Sequence, residues 1–251
     1  MPLVSYGATD VGKRRNGNED AFQLDDRLGL YVVADGVGGQ TSGEVASQES
    51  VDQICGFVRQ QSAVLSALRE DSTAKRREAV RRLLESAVQS ACYLLFGMGQ
   101  VKPEQRGMAT TISALLLADD YGVIAQVGDS RIYRMRDKKC SQLTEDHTLV
   151  NMKLKQGLVT AEEARNMKGK NVITRAVGPR DYVEVDTREL DVAPNDRYIL
   201  CSDGLHGYLN DSEIESVLAA GSDAEGPRRF VDLANERGGR DNITVALVCV
   251  D

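Results

Sequence analysis

Apolar and polar positions divide the chain into clusters of strands and pairs of helices. Helical spacing of apolar residues predicts helices over about 43–68, 80–95, 150–155, 160–167, 211–219 and 226–236. Strand-like runs cover 3–9, 20–25, 30–34, 111–117, 123–127, 131–136, 141–143, 172–174, 182–190, 197–201 and 243–250. Because strands and helices do not alternate strictly, this order favours an α+β fold with antiparallel sheets over a doubly wound parallel fold.

Two of the strands are apolar at successive positions rather than at alternate ones. They cover 112–117 and 243–249, and this pattern indicates that both faces of each strand are buried. Two stacked sheets with helices outside would bury them, so we predict a central β-sandwich of two antiparallel sheets flanked by helix pairs. No repeat or linker divides the sequence, which predicts one domain over 1–251, with the more polar stretch at about 146–178 as a small flap subdomain.

The charge balance excludes several classes of function. The 251 residues include 31 Lys and Arg against 38 Asp and Glu, a net charge of −7, so the chain lacks the basic character typical of nucleic-acid binding. No apolar run approaches the ~20 residues of a membrane-spanning helix, and Met1-Pro2-Leu3 begins no signal peptide. We therefore expect a cytoplasmic protein with no nucleic-acid or membrane partner and, without a heptad seam, a monomer.

The cysteine and histidine content limits the metal chemistry. The five cysteines are scattered and never spaced as CxxC, which indicates reduced thiols rather than a disulfide framework or a thiolate zinc site. The only histidines are His147 and His206. Any metal site must therefore rely mainly on oxygen ligands, the preference of magnesium, manganese and calcium.

Four aspartates stand where an apolar strand meets a glycine or a turn: Asp35, Asp129, Asp203 and Asp241. A carboxylate at a strand end is held by a rigid sheet, and a neighbouring glycine lets a backbone carbonyl approach a cation. Any single Asp-Gly pair is most often only a turn, but four such sites together suggest one acidic pocket. No EF-hand loop is present, so the pattern favours a shared catalytic metal centre over calcium sensing.

An arginine lies close in sequence to two further acids in the segment Arg15-Asn16-Gly17-Asn18-Glu19-Asp20. A guanidinium beside a cation-filled acidic pocket can hold a phosphate through two hydrogen bonds while metals bind the remaining oxygens. The alternative is that residues 13–15 form an ordinary solvated basic run.

Seven segments carry a resemblance to a known family: RRNGNEDAF, VVADGVGG, GDSRIY, LTEDHTLV, NVITRAVG, CSDGL and GRDNITV. In this order and at these intervals they resemble the bacterial branch of the PPM-type (type 2C), metal-dependent protein serine/threonine phosphatases. The resemblance spans Gly7 to Val248, nearly the whole chain. It implies a β-sandwich flanked by helix pairs, with metals at one end and a flap subdomain beside them.

The resemblance also implies roles for individual residues. Asp35 would bridge two Mg²⁺ or Mn²⁺ ions, with the Gly36 carbonyl on the second. Asp203 and Asp241 would bind the first metal, and Asp129 would share a third, weaker ion with Asp203. Asp20, and with it Glu19, would hydrogen-bond metal-bound water. Arg15 would bind the phosphate, and Asn242 would orient Asp241 unless it only forms an Asx turn.

The implied reaction is direct attack of a metal-bridging water on the phosphorus of phosphoserine or phosphothreonine, without a phosphoenzyme. The general acid stays unassigned, because positions where family members carry a histidine hold Val37 and Gln40 here. His147 and His206 are further candidates, but a structural or surface role is the favoured interpretation of each.

We carry three hypotheses forward. The favoured one is a protein serine/threonine phosphatase that acts on phosphoproteins and opposes a cognate bacterial Ser/Thr kinase. A second is a catalytically silent phosphoprotein-binding or scaffold module of the same fold, against which the retained carboxylates and Arg15 speak. A third keeps the hydrolase chemistry but places it in a regulatory pathway, such as anti-sigma-antagonist dephosphorylation or control of secretion.

Overall fold

The computed structural model describes residues 1–37, 42–167, 169 and 172–251. The strands are β1 Leu3–Asp10, β2 Asp20–Asp25, β3 Leu30–Val37, β4 Ala109–Thr110, β5 Ile112–Ala118, β6 Tyr121–Val127, β7 Arg131–Arg136, β8 Lys139–Gln142, β9 Asp186–Asp191, β10 Arg197–Cys201 and β11 Ile243–Val250. The helices are α1 Ser42–Gln60, α2 Ser62–Glu70, α3 Ala74–Val101, α4 Leu149–Lys155, α5 Ala161–Asn166, α6 Asp203–His206, α7 Asp211–Ala219 and α8 Gly226–Glu236.

The strands form two antiparallel sheets. One has the order β1-β11-β10-β7-β8, and the other has the order β2-β3-β5-β6-β9 with the short β4 paired to the end of β3. Strands β5 and β11 are buried along their whole length, as their continuous apolar runs predict. The predicted β-sandwich is therefore confirmed.

Three apolar clusters hold together four layers, which are the helices α1–α3, the two sheets, and the helices α7 and α8. One lies between the second sheet and the helices α1, α2 and α3, and contains Leu30, Val32 and Leu84. Another lies between the first sheet and α7 and α8, and the third fills the space between the sheets with residues such as Tyr31 and Val33. Burial of this apolar surface is the main force holding the layers together.

The alternation along β3 determines where the candidate site lies. Tyr31 and Val33 face the other sheet, whereas Leu30 and Val32 face the helices. Since side chains alternate along a strand, Asp35 falls on the side of the first pair, at the end of the sandwich. The β2–β3 register then places Asp20 directly opposite Asp35.

Three predicted elements differ from the structure. The helix expected over 43–68 is broken at Gln61, where the backbone turns (φ −108°, ψ 24°), and continues as α2. The strand expected at 172–174 is wrong, since Ile173 makes only an isolated bridge to Thr148. The strand expected over 182–190 begins only at Asp186, where pairing with β6 starts.

The stretch expected to form a flap holds α4 and α5. Thr160 and Glu163 begin α5 with a capping box, in which each caps the other's backbone N–H. All five cysteines are free thiols, as predicted. Across the described residues, no helix has the length and apolar character needed to cross a bilayer.

Candidate active site

A cleft of about 370 Å³ opens at the end of the sandwich where the predicted carboxylates lie. Its lining consists of Arg15, Glu19, Asp35, Gly36, Val37, Thr111, Asp129, Ile173, Asp203 and Asp241. The structure thus brings together most of the residues predicted from the sequence. Asp20 and Asn242 do not line the cleft but lie directly behind its wall, in contact with the segments that form it.

Asp35 is held by backbone contacts that fix where its carboxylate points. Its backbone N–H donates to Thr111 Oγ1 at 3.0 Å, and its carbonyl accepts from the Thr111 N–H at 2.8 Å. The next residue, Gly36, leaves no room for a side chain, since a Cβ there would collide with the carbonyl oxygens of Gly43 and Glu19. Only glycine lets these three chain segments approach so closely.

Asp20 lies partly buried opposite Asp35. Its Oδ2 accepts a hydrogen bond from the Ser202 hydroxyl at 2.8 Å, while its Oδ1 is buried without a partner among the described residues. Burial, together with the charges of Asp203 and Asp241, raises the pKa of Asp20 to about 7. The pKa of Asp35 is raised well above its ordinary value by burial and then by the charge of Asp20.

Asp203 and Asp241 come from distant parts of the chain. Asp203 begins the short helix α6, and a Cβ on the following Gly204 would collide with the Asn242 carbonyl oxygen. This close approach keeps the two aspartates beside each other. Burial and the charge of Asp241 raise the pKa of Asp203 to about 6. Asp241 precedes its strand, whereas Asp129 and Asp203 follow theirs and Asp35 lies near the end of β3.

Arg15 closes one side of the cleft. Its Nη2 donates to Asp241 Oδ2 at 2.7 Å, and that hydrogen bond is the main reason that its pKa is raised. About half of the Arg15 side chain is exposed, so the guanidinium keeps donors available to a ligand.

Asn242 holds the segment that carries Arg15. Its side chain accepts from the Glu19 N–H at 2.8 Å and donates to the carbonyls of Val11 and Gly17, both at 2.9 Å. From the sequence, Asn242 is expected to orient Asp241. The hydrogen bond to Asp241 Oδ1 is donated by the backbone N–H of Asn242 and not by its side chain. The side chain therefore fixes the arginine loop instead.

Both histidines contact the loop that carries Asp129. His206 Nε2 lies 2.9 Å from the Asp129 carbonyl oxygen, and the Gly128 N–H donates to His147 Nδ1 at 3.1 Å. The other ring nitrogen of His147 lies 3.0 Å from Asp186 Oδ2. Burial lowers the pKa of both imidazoles, that of His206 to about 4. Neither histidine lines the cleft, so neither is placed to protonate a leaving group there.

The charge distribution of the cleft fits divalent cations. Burial and the charge of Asp203 raise the pKa of Asp129 to about 7, so the buried aspartates destabilise one another's charged forms. A cation offsets this repulsion, and an all-oxygen donor set suits Mg²⁺ or Mn²⁺. Among the described residues, no group of three or more His, Cys, Asp or Glu side chains is arranged to hold a metal ion by itself. A cation would therefore complete its shell with backbone oxygen and water, as Mg²⁺ commonly does.

Two residues of the cleft were missed from the sequence. Thr111 positions Asp35 as described above, and Ile173 enters the cleft from the predicted flap. The only sequence signal for Thr111 is a polar residue directly before a fully apolar strand. Of the positions considered for a general acid, Val37 lines the cleft and Gln40 lies outside the described residues.

Comparisons with known proteins agree with the fold. The family model described as protein phosphatase 2C matches residues 12–236. The serine/threonine phosphatase stp of Listeria innocua is 36% identical over 244 residues, which cover 96% of this chain and 93% of that protein. The solved serine/threonine phosphatase PstP/Ppp of Mycobacterium tuberculosis has a TM-score of 0.85 and 32% identity, with both chains covered over 100% of their length.

A second solved structure bears on the metals. It is the catalytic domain of the serine/threonine phosphatase PstP, described as a complex with 2 manganese ions, with a TM-score of 0.81, 33% identity and 99% of both chains covered. Fold, cleft and relatives together define a metal-dependent phosphoprotein phosphatase. The chain belongs to the protein phosphatase 2C family, and the comparisons support the enzymatic hypothesis rather than the catalytically silent module.

Proposed function

We propose that this protein removes phosphate from phosphoserine and phosphothreonine in cytoplasmic proteins and so opposes a cognate bacterial Ser/Thr kinase. The observation that carries the proposal is the cleft in which Arg15 stands beside Asp35, Asp129, Asp203 and Asp241. A guanidinium and a set of clustered carboxylates at one opening are what binding a phosphate together with divalent cations requires.

We assign the metal ligands within this cleft. Asp35, Asp203, Asp241 and the Gly36 carbonyl would hold two core Mg²⁺ or Mn²⁺ ions, and Asp129 with Asp203 would hold a third, weaker one. When bound, such ions lower the pKa of a water molecule, orient it toward phosphorus and offset the charge of the transition state. The raised pKa values of Asp35, Asp129 and Asp203 support this assignment, because a bound cation would stabilise their charged forms.

The protein's own residues bind and orient the substrate. Arg15 donates to the phosphate oxygens, and Asp241 keeps the guanidinium turned toward the cleft. Asp20, whose Oδ1 has no partner among the described residues, would accept a hydrogen bond from water, and Glu19 would do the same at the rim. Asn242 keeps the arginine loop in place.

We further propose that residues 1–251 act as one monomeric catalytic domain, in which 146–178 form a flap beside the cleft. Ile173 supports the flap assignment, since it belongs to that stretch and lines the cleft. The third hypothesis, a role in a particular regulatory pathway, concerns the choice of phosphoprotein and leaves this chemistry unchanged.

The test is hydrolysis of para-nitrophenyl phosphate and of a phosphothreonine peptide by the purified chain with Mn²⁺, Mg²⁺ or EDTA. Asp35→Asn and Asp203→Asn are compared with Asp119→Asn, which lies in the turn after β5, away from the cleft. Asp119 has a positive φ of 54°, a conformation that asparagine tolerates, so this control removes a carboxylate without backbone strain.

We expect activity only with a divalent cation, and a loss of about a hundredfold or more in Asp35→Asn and Asp203→Asn but not in Asp119→Asn. A folded wild-type protein that is inactive on both substrates with either metal would refute the proposal. Binding of the phosphopeptide without turnover would then support the hypothesis of a catalytically silent, phosphoprotein-binding module.

A further inference from the structure

A second groove of about 560 Å³ adjoins the carboxylate cleft. The two share Ile173, and the groove's Ala109 pairs with Val37, which lines the cleft. The groove's other wall is the segment after the flap, including Arg175, Arg180, Tyr182 and Glu184. A peptide with its phosphate in the cleft therefore has a continuous path over Ile173 into this groove.

The wall of the groove is anchored to the body of the protein. Cys92 Sγ on α3 donates to the Arg180 carbonyl at 3.2 Å, and the Gln89 side chain, also on α3, hydrogen-bonds the backbone of Val183. Val177 forms a bridge with Thr110 next to the cleft. Because these contacts fix the backbone on both sides, the groove is a preformed surface.

The charges along the wall are unequally balanced. Arg175 is paired with two carboxylates, Asp186 at 2.5 Å and Glu184 at 3.3 Å. Arg180 is exposed, and within the described part of the chain its side chain forms neither an ion pair nor a hydrogen bond. Among the charged residues that line the groove, Arg180 is therefore the one without an ion-pair partner within the described part of the chain.

An exposed aromatic side chain stands two positions further on. Tyr182 is 66% exposed in the same groove. Tyrosine beside arginine is a combination that is enriched in protein recognition sites, since one supplies a flat apolar surface and the other supplies charge-assisted hydrogen bonds.

We infer that this groove binds the residues flanking the phosphorylated serine or threonine, and that Arg180 selects substrates with an acidic side chain there. The inference rests on the proposed phosphatase function and names the substrate class. With a net charge of −7, the protein as a whole repels acidic partners. The positive charge of Arg180 would therefore determine the position at which a substrate peptide can carry an acidic residue.

The test uses phosphothreonine peptides in which Glu or Lys replaces each flanking position in turn. For wild type, Arg180→Glu and Arg180→Gln, each peptide kcat/KM is divided by that variant's own kcat/KM for para-nitrophenyl phosphate. The matched control is Arg27→Glu, an exposed arginine in the β2–β3 turn at the end of the sheet away from the cleft.

We expect at least one position at which wild type prefers Glu over Lys by about two- to fivefold, the size typical of an exposed ion pair. Arg180→Gln should abolish this preference, Arg180→Glu should invert it, and Arg27→Glu should leave it unchanged. A preference that survives in Arg180→Glu, or one absent from wild type at every position, overturns the inference.

A binding measurement separates the inference from the proposed function. Fluorescence anisotropy with non-hydrolysable phosphonate versions of the same Glu and Lys peptides reports the groove without turnover. Failure of all hydrolysis contradicts the phosphatase proposal, whereas equal affinities of wild type for Glu and Lys peptides contradict the role of Arg180.

Discussion

His206 Nε2 lies 2.9 Å from the carbonyl oxygen of Asp129, a contact between residues 77 positions apart. Burial keeps the imidazole neutral at neutral pH by lowering its pKa to about 4, so Nε2 must carry the proton to donate to this carbonyl. On the other side of the same loop, His147 accepts from the Gly128 N–H. Both histidines of the chain therefore position the Asp129 loop instead of acting as acids in the cleft.

This relationship predicts different effects for two His206 variants. His206→Leu leaves the Asp129 carbonyl without its donor, and we expect a loss of about 1–3 kcal/mol in the free energy of unfolding and weaker activation by Mn²⁺. His206→Gln keeps an amide donor and should recover much of both. Guanidinium unfolding and Mn²⁺ titration of para-nitrophenyl phosphate hydrolysis measure the two effects. Equal behaviour of the Leu and Gln variants would show that the hydrogen bond is unimportant.

The close approach at Gly204 gives a second prediction. A Cβ there meets the Asn242 carbonyl oxygen, so Gly204→Ala must push α6 away from the start of β11. We expect a loss of about 1–3 kcal/mol in stability, with reduced activity because Asp203 and Asp241 move apart.

Gly56→Ala is the matched control for this substitution. Gly56 lies inside α1 with open space where its Cβ would stand, so alanine should stabilise the protein by about 0.5–1 kcal/mol through helix propensity. Thermal and chemical unfolding of both variants check the pair. A Gly204→Ala protein as stable as wild type would contradict the predicted collision.

The sequence predicts local features of this protein better than long-range ones. The apolar run ending at Asp35 and the continuous apolar run of β11 are local patterns, and both led to correct placements. Two other features depend on how separate segments pack: the contact of His206 with Asp129, and the entry of Ile173 into the cleft. The spacing of apolar residues along the chain does not predict such contacts. The placement of Asp203, Asp241 and Arg15 at one acidic site followed from their positions in the sequence, whereas the metal assigned to each aspartate came only from the motif resemblance.

The buried carboxylates predict an unusual dependence of stability on pH in the metal-free protein. Asp20 has a pKa of about 7 in the folded state against about 3.9 in an unfolded chain. The folded state therefore binds more protons between these values, so this contribution to stability is fully present below pH ~4 and is lost as the pH rises through 7.

Asp20→Asn isolates that contribution from those of the other titrating groups. With EDTA present, the free energy of unfolding of wild type should rise by on the order of 1–3 kcal/mol relative to that of Asp20→Asn when the pH is lowered from about 8 to about 5. Saturating Mn²⁺ should shrink the difference, since cations compensate the same negative charge. Urea unfolding at each pH gives the values, and a difference that stays constant across this range would exclude a raised pKa for Asp20.

The geometry of Arg15 predicts that lysine cannot replace it. Its Nη2 is held by Asp241 at 2.7 Å, which leaves the remaining donors of the planar guanidinium for a phosphate. Lysine carries the charge but cannot bind two oxygens in parallel, so we expect Arg15→Lys to raise KM for a phosphopeptide by about tenfold with a smaller change in kcat. Arg59→Lys, whose partner Asp25 lies at the far end of β2, should leave both constants unchanged. A selective fall in kcat at constant KM in Arg15→Lys would instead place the arginine's contribution in the transition state alone.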